Sequence, residues 1–170
     1  MNEITSATSE PWLRGTLTDV PAIPRAVLHA LQLAKEDLWK WCYGLSDEQL
    51  NERPAGMVPV AFHLRHISRS IGRLLTYAEG EALDQAQLGL LKSELEPGAT
   101  RDQLFAELEV SFAESGTRVR ALATTDLDTP RSVGKRQLPT TLGGLLVHVA
   151  DHTQRHVGQA ITTAKLLAGR

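Results

Sequence analysis

Leu145-Leu146-Val147-His148-Val149-Ala150-Asp151-His152-Thr153-Gln154-Arg155-His156-Val157-Gly158-Gln159 reads as the middle of one amphipathic helix, and three of its residues are histidines at four-residue spacing. Side chains four apart on a helix stand one above the other, so an adjacent pair of these imidazoles can close on a single metal ion. At about 100° per residue, His152 and His156 share an inward stripe with Leu145, Val149, Gln159 and Thr163, while His148 falls at its flank. Burying two imidazoles with no common partner would cost several polar desolvations, and a metal that accepts both lone pairs relieves them. His148 is the weakest of the three as a ligand, and a lone core-facing histidine such as His29 reads as an ordinary hydrogen-bonded residue.

Outward from this stretch the chain is helical. Thr140 or Thr141 caps the His-bearing helix, which is expected to run to about Leu167. From Pro24 to Tyr43 the residues Val27, Leu28, Leu31, Ala34, Leu38 and Trp41 recur at steps of three and four, with Gly44 as the stop. Ser46-Asp47-Glu48-Gln49 has capping-box spacing for a short turn, and Asn51 to Met57 reads as a loop. Val60, Leu64, Ile67, Ile71, Leu74, Leu75 and Ala78 mark a second long helix ending at Gly80. Glu81 to Gly98 is a long mixed connection with one helical piece near Gln85 to Leu95. Thr100-Arg101-Asp102-Gln103 is another capping box, opening a third long helix through Leu104, Leu108, Phe112, Val119 and Leu122. Thr124 to Pro139 reads as a loop, and no strand-like alternation persists anywhere. The expected fold is all-α: a four-helix bundle with a long connection between its second and third helices.

Composition sets the outer limits. The 170 residues, 42% hydrophobic and 22% charged, suit a single domain over 1–170, with 1–20 an irregular N-terminal segment. Eighteen basic against twenty acidic residues offer no footprint for nucleic acid or an anionic membrane, so neither is expected as a partner. No apolar run has transmembrane length, and the first twenty residues lack the apolar core of a signal peptide, so a cytoplasmic protein is expected. Cys42 is the only cysteine, which excludes an intrachain disulfide and a cysteine-rich zinc site. Any metal must be held by nitrogen or oxygen.

A third ligand should come from the second long helix, which carries His63 and His66. Periodicity places His63 nearer the apolar stripe, whereas His66 lies on a second stripe with Phe62, Ser70, Arg73 and Tyr77 that can line a wet cleft. Spacing leaves the two open. No Glu stands three residues before any histidine, so the Glu-x-x-His motif of di-iron carboxylate bundles is missing. Thr153 follows His152, so a His-Glu-x-x-His metalloprotease is excluded too, and no phosphate loop, nucleophile elbow or dinucleotide fingerprint is present.

Phe62-His63-Leu64-Arg65-His66-Ile67-Ser68-Arg69-Ser70 and the run His148 to Gln159, with its terminal His-x-Gly-Gln, resemble the DinB-like (damage-inducible, DinB/YfiT-type) superfamily of bacterial four-helix bundles, over about Val20 to Leu167. The resemblance implies a divalent metal, zinc or nickel, held by one histidine of the second helix and two of the fourth. Matched by motif these are His66, His152 and His156. It also implies activity of the thiol-transferase kind, with a low-molecular-weight thiol and an electrophile as substrates. Arg155 before His156, and the basic loop residues Arg131, Lys135 and Arg136, have no fixed counterpart in that pattern.

Three neutral imidazoles leave a bound cation its full charge and an exchangeable position, where a thiol would be favoured as thiolate. Water in the same position would give hydrolysis instead, and a non-enzymatic structural or interaction module is the rival class. Asp151, Gln159 and Ser70 are candidates to hold the free nitrogens of the ligands. Arg131, Lys135 and Arg136 are candidates for the carboxylates of a thiol, and Arg73 and Tyr77 for the pocket wall. The two stripes of the second helix also suit a homodimer.

Overall fold

The structure, a computed structural model, describes residues 9–169. Four long helices dominate it: α1 (Ala22–Cys42), α3 (Val60–Ala78), α5 (Arg101–Ala121) and α6 (Leu142–Ala168). Short helices α2 (Asp47–Asn51) and α4 (Gln85–Lys92) lie in the connections, and strands β1 (Pro130–Val133) and β2 (Leu138–Thr141) precede α6. The expected capping boxes form at Ser46 and Thr100, and a third, Asp84 with Gln87, starts α4. Thr141 rather than Thr140 caps α6, its hydroxyl accepting from the Gly144 amide. Each cap satisfies amides that a helix start would otherwise leave without partners.

The long helices pack in a closed ring in which α1 meets α6, α6 meets α3, α3 meets α5, and α5 meets α1. Gln154 reaches Ala30 and Lys165 lies over Trp41, so α1 and α6 run parallel. Lys35 pairs with Glu109 and Trp39 with Phe105, so α1 and α5 are antiparallel. Arg69 pairs with Glu107 and Arg118 with Glu79, which makes α3 and α5 parallel. A 19-residue helix is about 28 Å long, so a chain leaving α3 must travel back that far before α5 can begin alongside it. That is the physical reason for the long connection.

The connection is fastened along α3 by three arginines spaced four apart. Arg65 donates to the Glu96 carbonyl, Arg69 to the Leu90 carbonyl at 2.9 Å and to Ser93 Oγ at 3.0 Å, and Arg73 to Glu94 Oε1 at 2.7 Å. Asn51 closes its far end, donating to the Ala99 carbonyl and accepting from the Gly98 amide.

Leu38, Leu64, Ile67, Ile71, Leu75, Leu108 and Leu146 have no exposed surface and belong to one contiguous apolar cluster. Each contributes about 1.5–3 kcal/mol of transfer free energy relative to exposure. Trp41, expected in this core, is 39% exposed; its ring lies 4.2 Å beneath the Lys165 ammonium at the edge of the α1 and α6 contact. Gln159 is likewise exposed rather than inward. No helix among the described residues is long and apolar enough to cross a membrane.

The hairpin corrects the reading of residues 124–139 as a strandless loop. Pro130 pairs with Thr141 and Val133 with Leu138 in antiparallel register. Four-residue strands are too short to show apolar alternation, and the hairpin is held instead by backbone pairing and by docking on α3, where Arg131 Nε donates to the Ala78 carbonyl at 2.6 Å. The first eight residues of the expected irregular N-terminal segment lie outside the described residues; Pro11–Leu13 forms a short 3-10 turn.

Candidate metal centre

Antiparallel packing of α3 against α6 sets His63 beside His156 and, about one turn on along α3 and one turn back along α6, His66 beside His152. His66 Nε2 is 2.9 Å from His152 Nε2, and the His66 and His156 rings are 4.3 Å apart between centroids. One nitrogen from each of His66, His152 and His156 lies within 4.8 Å of the other two. The three residues chosen by motif are therefore brought together, each half-buried.

His63 lies at the edge of this group, 3% exposed, with its Nδ1 3.1 Å from Nδ1 of His156. Periodicity correctly predicts a buried His63, but burial puts it behind His156 rather than among the three. One of the two facing Nδ1 atoms must carry the proton for this contact to be a hydrogen bond. His148 stays at the flank, exposed, with its ring 5.3 Å from that of His152. His29 is an ordinary hydrogen-bonded histidine, as expected: it is buried, with Nε2 3.2 Å from the Thr16 hydroxyl.

Burial first, and then repulsion among neighbouring imidazolium forms, pushes His63, His152 and His156 down to about 4. These rings are neutral at neutral pH and have lone pairs to offer. His66 Nδ1 faces Glu94 Oε2 at 2.7 Å, and because a carboxylate can only accept, the ring donates. With Nδ1 turned to Glu94, Nε2 is the His66 nitrogen that faces His152. Three converging imidazole nitrogens fit a borderline divalent cation of the zinc or nickel kind.

Glu94 was hidden in the sequence. It lies in the mixed connection after α4, among several acidic residues, with no spacing to any histidine. In the fold it is 5% exposed and divides its oxygens between His66 and Arg73. Burial alone would raise its pKa, but the hydrogen bonds from His66 and Arg73 hold it below the usual carboxylate range. The candidates drawn from sequence proximity point elsewhere: Asp151 pairs with Arg155, Ser70 donates to the Ile67 carbonyl, and Gln159 lines a cavity behind His63.

His66 and His152 open onto a cleft of about 280 Å³ whose walls include Arg73, Leu74, Tyr77 and Leu83. Four of the five residues of the second α3 stripe, His66, Ser70, Arg73 and Tyr77, line this cleft, and Phe62 stacks on His66. Tyr77 and Leu83 also line an adjoining cavity of about 640 Å³, which Arg131 and Lys135 enter from the hairpin. Arg136 is not among its walls.

Residues 30–160 match the sequence model of the DinB superfamily. No curated protein matches the chain.

Proposed function

The chain belongs to the DinB superfamily, and from that premise we propose that His66, His152 and His156 hold one divalent metal ion, zinc or nickel, at the centre of a metal-dependent enzyme. The ring of long helices is then a four-helix bundle, with the site between the antiparallel pair α3 and α6. The observation that carries the reading is the convergence of three imidazole nitrogens, with Glu94 against the other nitrogen of His66.

The reaction we favour is transfer of a low-molecular-weight thiol to an electrophilic carbon. A divalent ion at this site would supply a Lewis acid that favours the deprotonated form of a coordinated thiol. The chain's own residues do the rest. His152 and His156, neutral at working pH, hold the ion without cancelling its charge. Leu74, Leu83 and Tyr77 give the cleft an apolar wall that suits the carbon stem of a thiol. Arg131 and Lys135 in the adjoining cavity would meet the carboxylates of a thiol extending past Tyr77. Cys42 is fully buried and takes no part, so the thiol comes from solution.

The test is metal analysis of untagged protein followed by assay of thiols with a chromogenic electrophile. Metal together with thiol-dependent turnover supports the proposal. Turnover without thiol would favour a hydrolase, and metal with no turnover a binding or structural role.

A further inference from the structure

An imidazole free in water favours the tautomer with its proton on Nε2, which would turn an N–H rather than a lone pair toward the metal. His66 is placed in the opposite state. Glu94 Oε2 lies 2.7 Å from Nδ1, and its other oxygen accepts from Arg73 Nη1 at 2.7 Å. Arg73 is buried and permanently charged, so Glu94 is kept as an acceptor and cannot be the donor to His66. The carboxylate comes from neither helix that bears histidines. It is delivered by the connection after α4, which Arg65, Arg69 and Asn51 fasten in place.

We propose that Glu94 is the positioning residue of the metal centre: it commits His66 to the Nδ1-protonated tautomer, so that Nε2 is ready to ligate before any metal arrives. Arg73 holds Glu94 in register for this task. The residues flanking Glu94 are thereby coupled to the site, and by linkage a metal that prefers the committed tautomer also stabilises the docked connection. The metal half of this inference rests on the reading in the preceding section; the tautomer half does not.

The first measurement needs no variant. Nitrogen-15 NMR of metal-free wild-type protein at about pH 8, where an ordinary histidine is neutral, is expected to find the His66 proton on Nδ1. A proton on Nε2 overturns the proposal. The second uses Co²⁺, followed by its visible absorption, with the double substitution Arg73→Met and Glu94→Leu, which removes both charges and strands neither. That protein is expected to fold, to lose the Nδ1 preference, and to bind Co²⁺ about 10–100-fold more weakly.

Asn51→Ala, which loosens the connection away from the site, is expected to weaken Co²⁺ binding by much less than the double variant does. A double variant that binds as tightly as wild type, or Asn51→Ala weakening binding equally, overturns a specific role for Glu94. Wild-type protein that takes up no Co²⁺ overturns the metal centre itself, and the tautomer, read without metal, tells the two failures apart.

Discussion

Nε2 of His66 on α3 and Nε2 of His152 on α6 face each other at 2.9 Å, although 86 residues separate them in the chain. Glu94 faces Nδ1 of His66, and on the tautomer proposed above His152 turns an N–H toward Nε2 of His66 when no cation is bound. On the proposed reading a divalent ion would take the place of that single hydrogen bond and be held by both rings. Wild-type protein is therefore expected to purify with about one first-row metal per chain, and His66→Ala or His152→Ala with background levels. At about a hundredfold excess over Kd the metal adds about 2.7 kcal/mol, a rise in Tm of roughly 5–10 °C on re-addition to stripped protein. Elemental analysis and calorimetry check this, and a Tm indifferent to metal would refute it.

His63 and His66 should part company under substitution. His63 faces Nδ1 of His156 and is not one of the three converging histidines, so His63→Leu is expected to keep metal stoichiometry and weaken affinity by about tenfold. His66→Ala should empty the site. Side-by-side titrations decide, and a His63→Leu protein as empty as His66→Ala would exchange their roles.

Cys42 has no exposed surface, and burial pushes its thiol up to about 12 from an ordinary 9.0. It should resist aromatic disulfide reagents until the protein unfolds. The sign of its pH effect follows from the same shift. Below pH 9 both states hold the proton and nothing changes; above it the unfolded chain ionises first, so native stability falls with rising pH. By pH 10 the loss relative to Cys42→Val should reach about 1.4 kcal/mol. Denaturant titrations of both proteins at several alkaline pH values measure it, and parallel curves would contradict it.

Thr153, next to His152, is 1% exposed and its hydroxyl has no hydrogen-bond partner among the described residues. A methyl group fills the same space with nothing left unpaired, so Thr153→Val is expected to stabilise the protein by about 1 kcal/mol. Metal binding should not change. Chemical denaturation provides the check; a loss of stability would mean that the hydroxyl has a partner.

What could be read directly from the sequence was local. The three-and-four spacing of Val60, Leu64, Ile67, Ile71 and Leu75, with Gly80 as the stop, marks α3 within two residues of its ends, and the Thr100 and Ser46 boxes form as spelled. Where the local signal is thin, reading fails. Pro130 to Val133 has no alternation to betray a strand, and Trp41 keeps helical phase with the core yet sits at its edge, because phase sets direction but not what stands opposite.

The candidate site divides along the same line. His152 and His156 are neighbours because four residues bring a helix back over itself, a relation the covalent chain imposes without help from the rest of the fold. Which α3 histidine stands beside both of them depends on how far α3 slides and turns against α6, and that is settled by packing Leu64, Ile67 and Ile71 into a common core. Glu94 depends on still more, for its segment has no periodicity of its own and is placed only when the arginines of α3 take hold of it. Sequence alone determined the helices and the paired imidazoles; the tertiary structure decided their third neighbour and its carboxylate, because contacts between elements are set by long-range packing rather than by spacing along the chain.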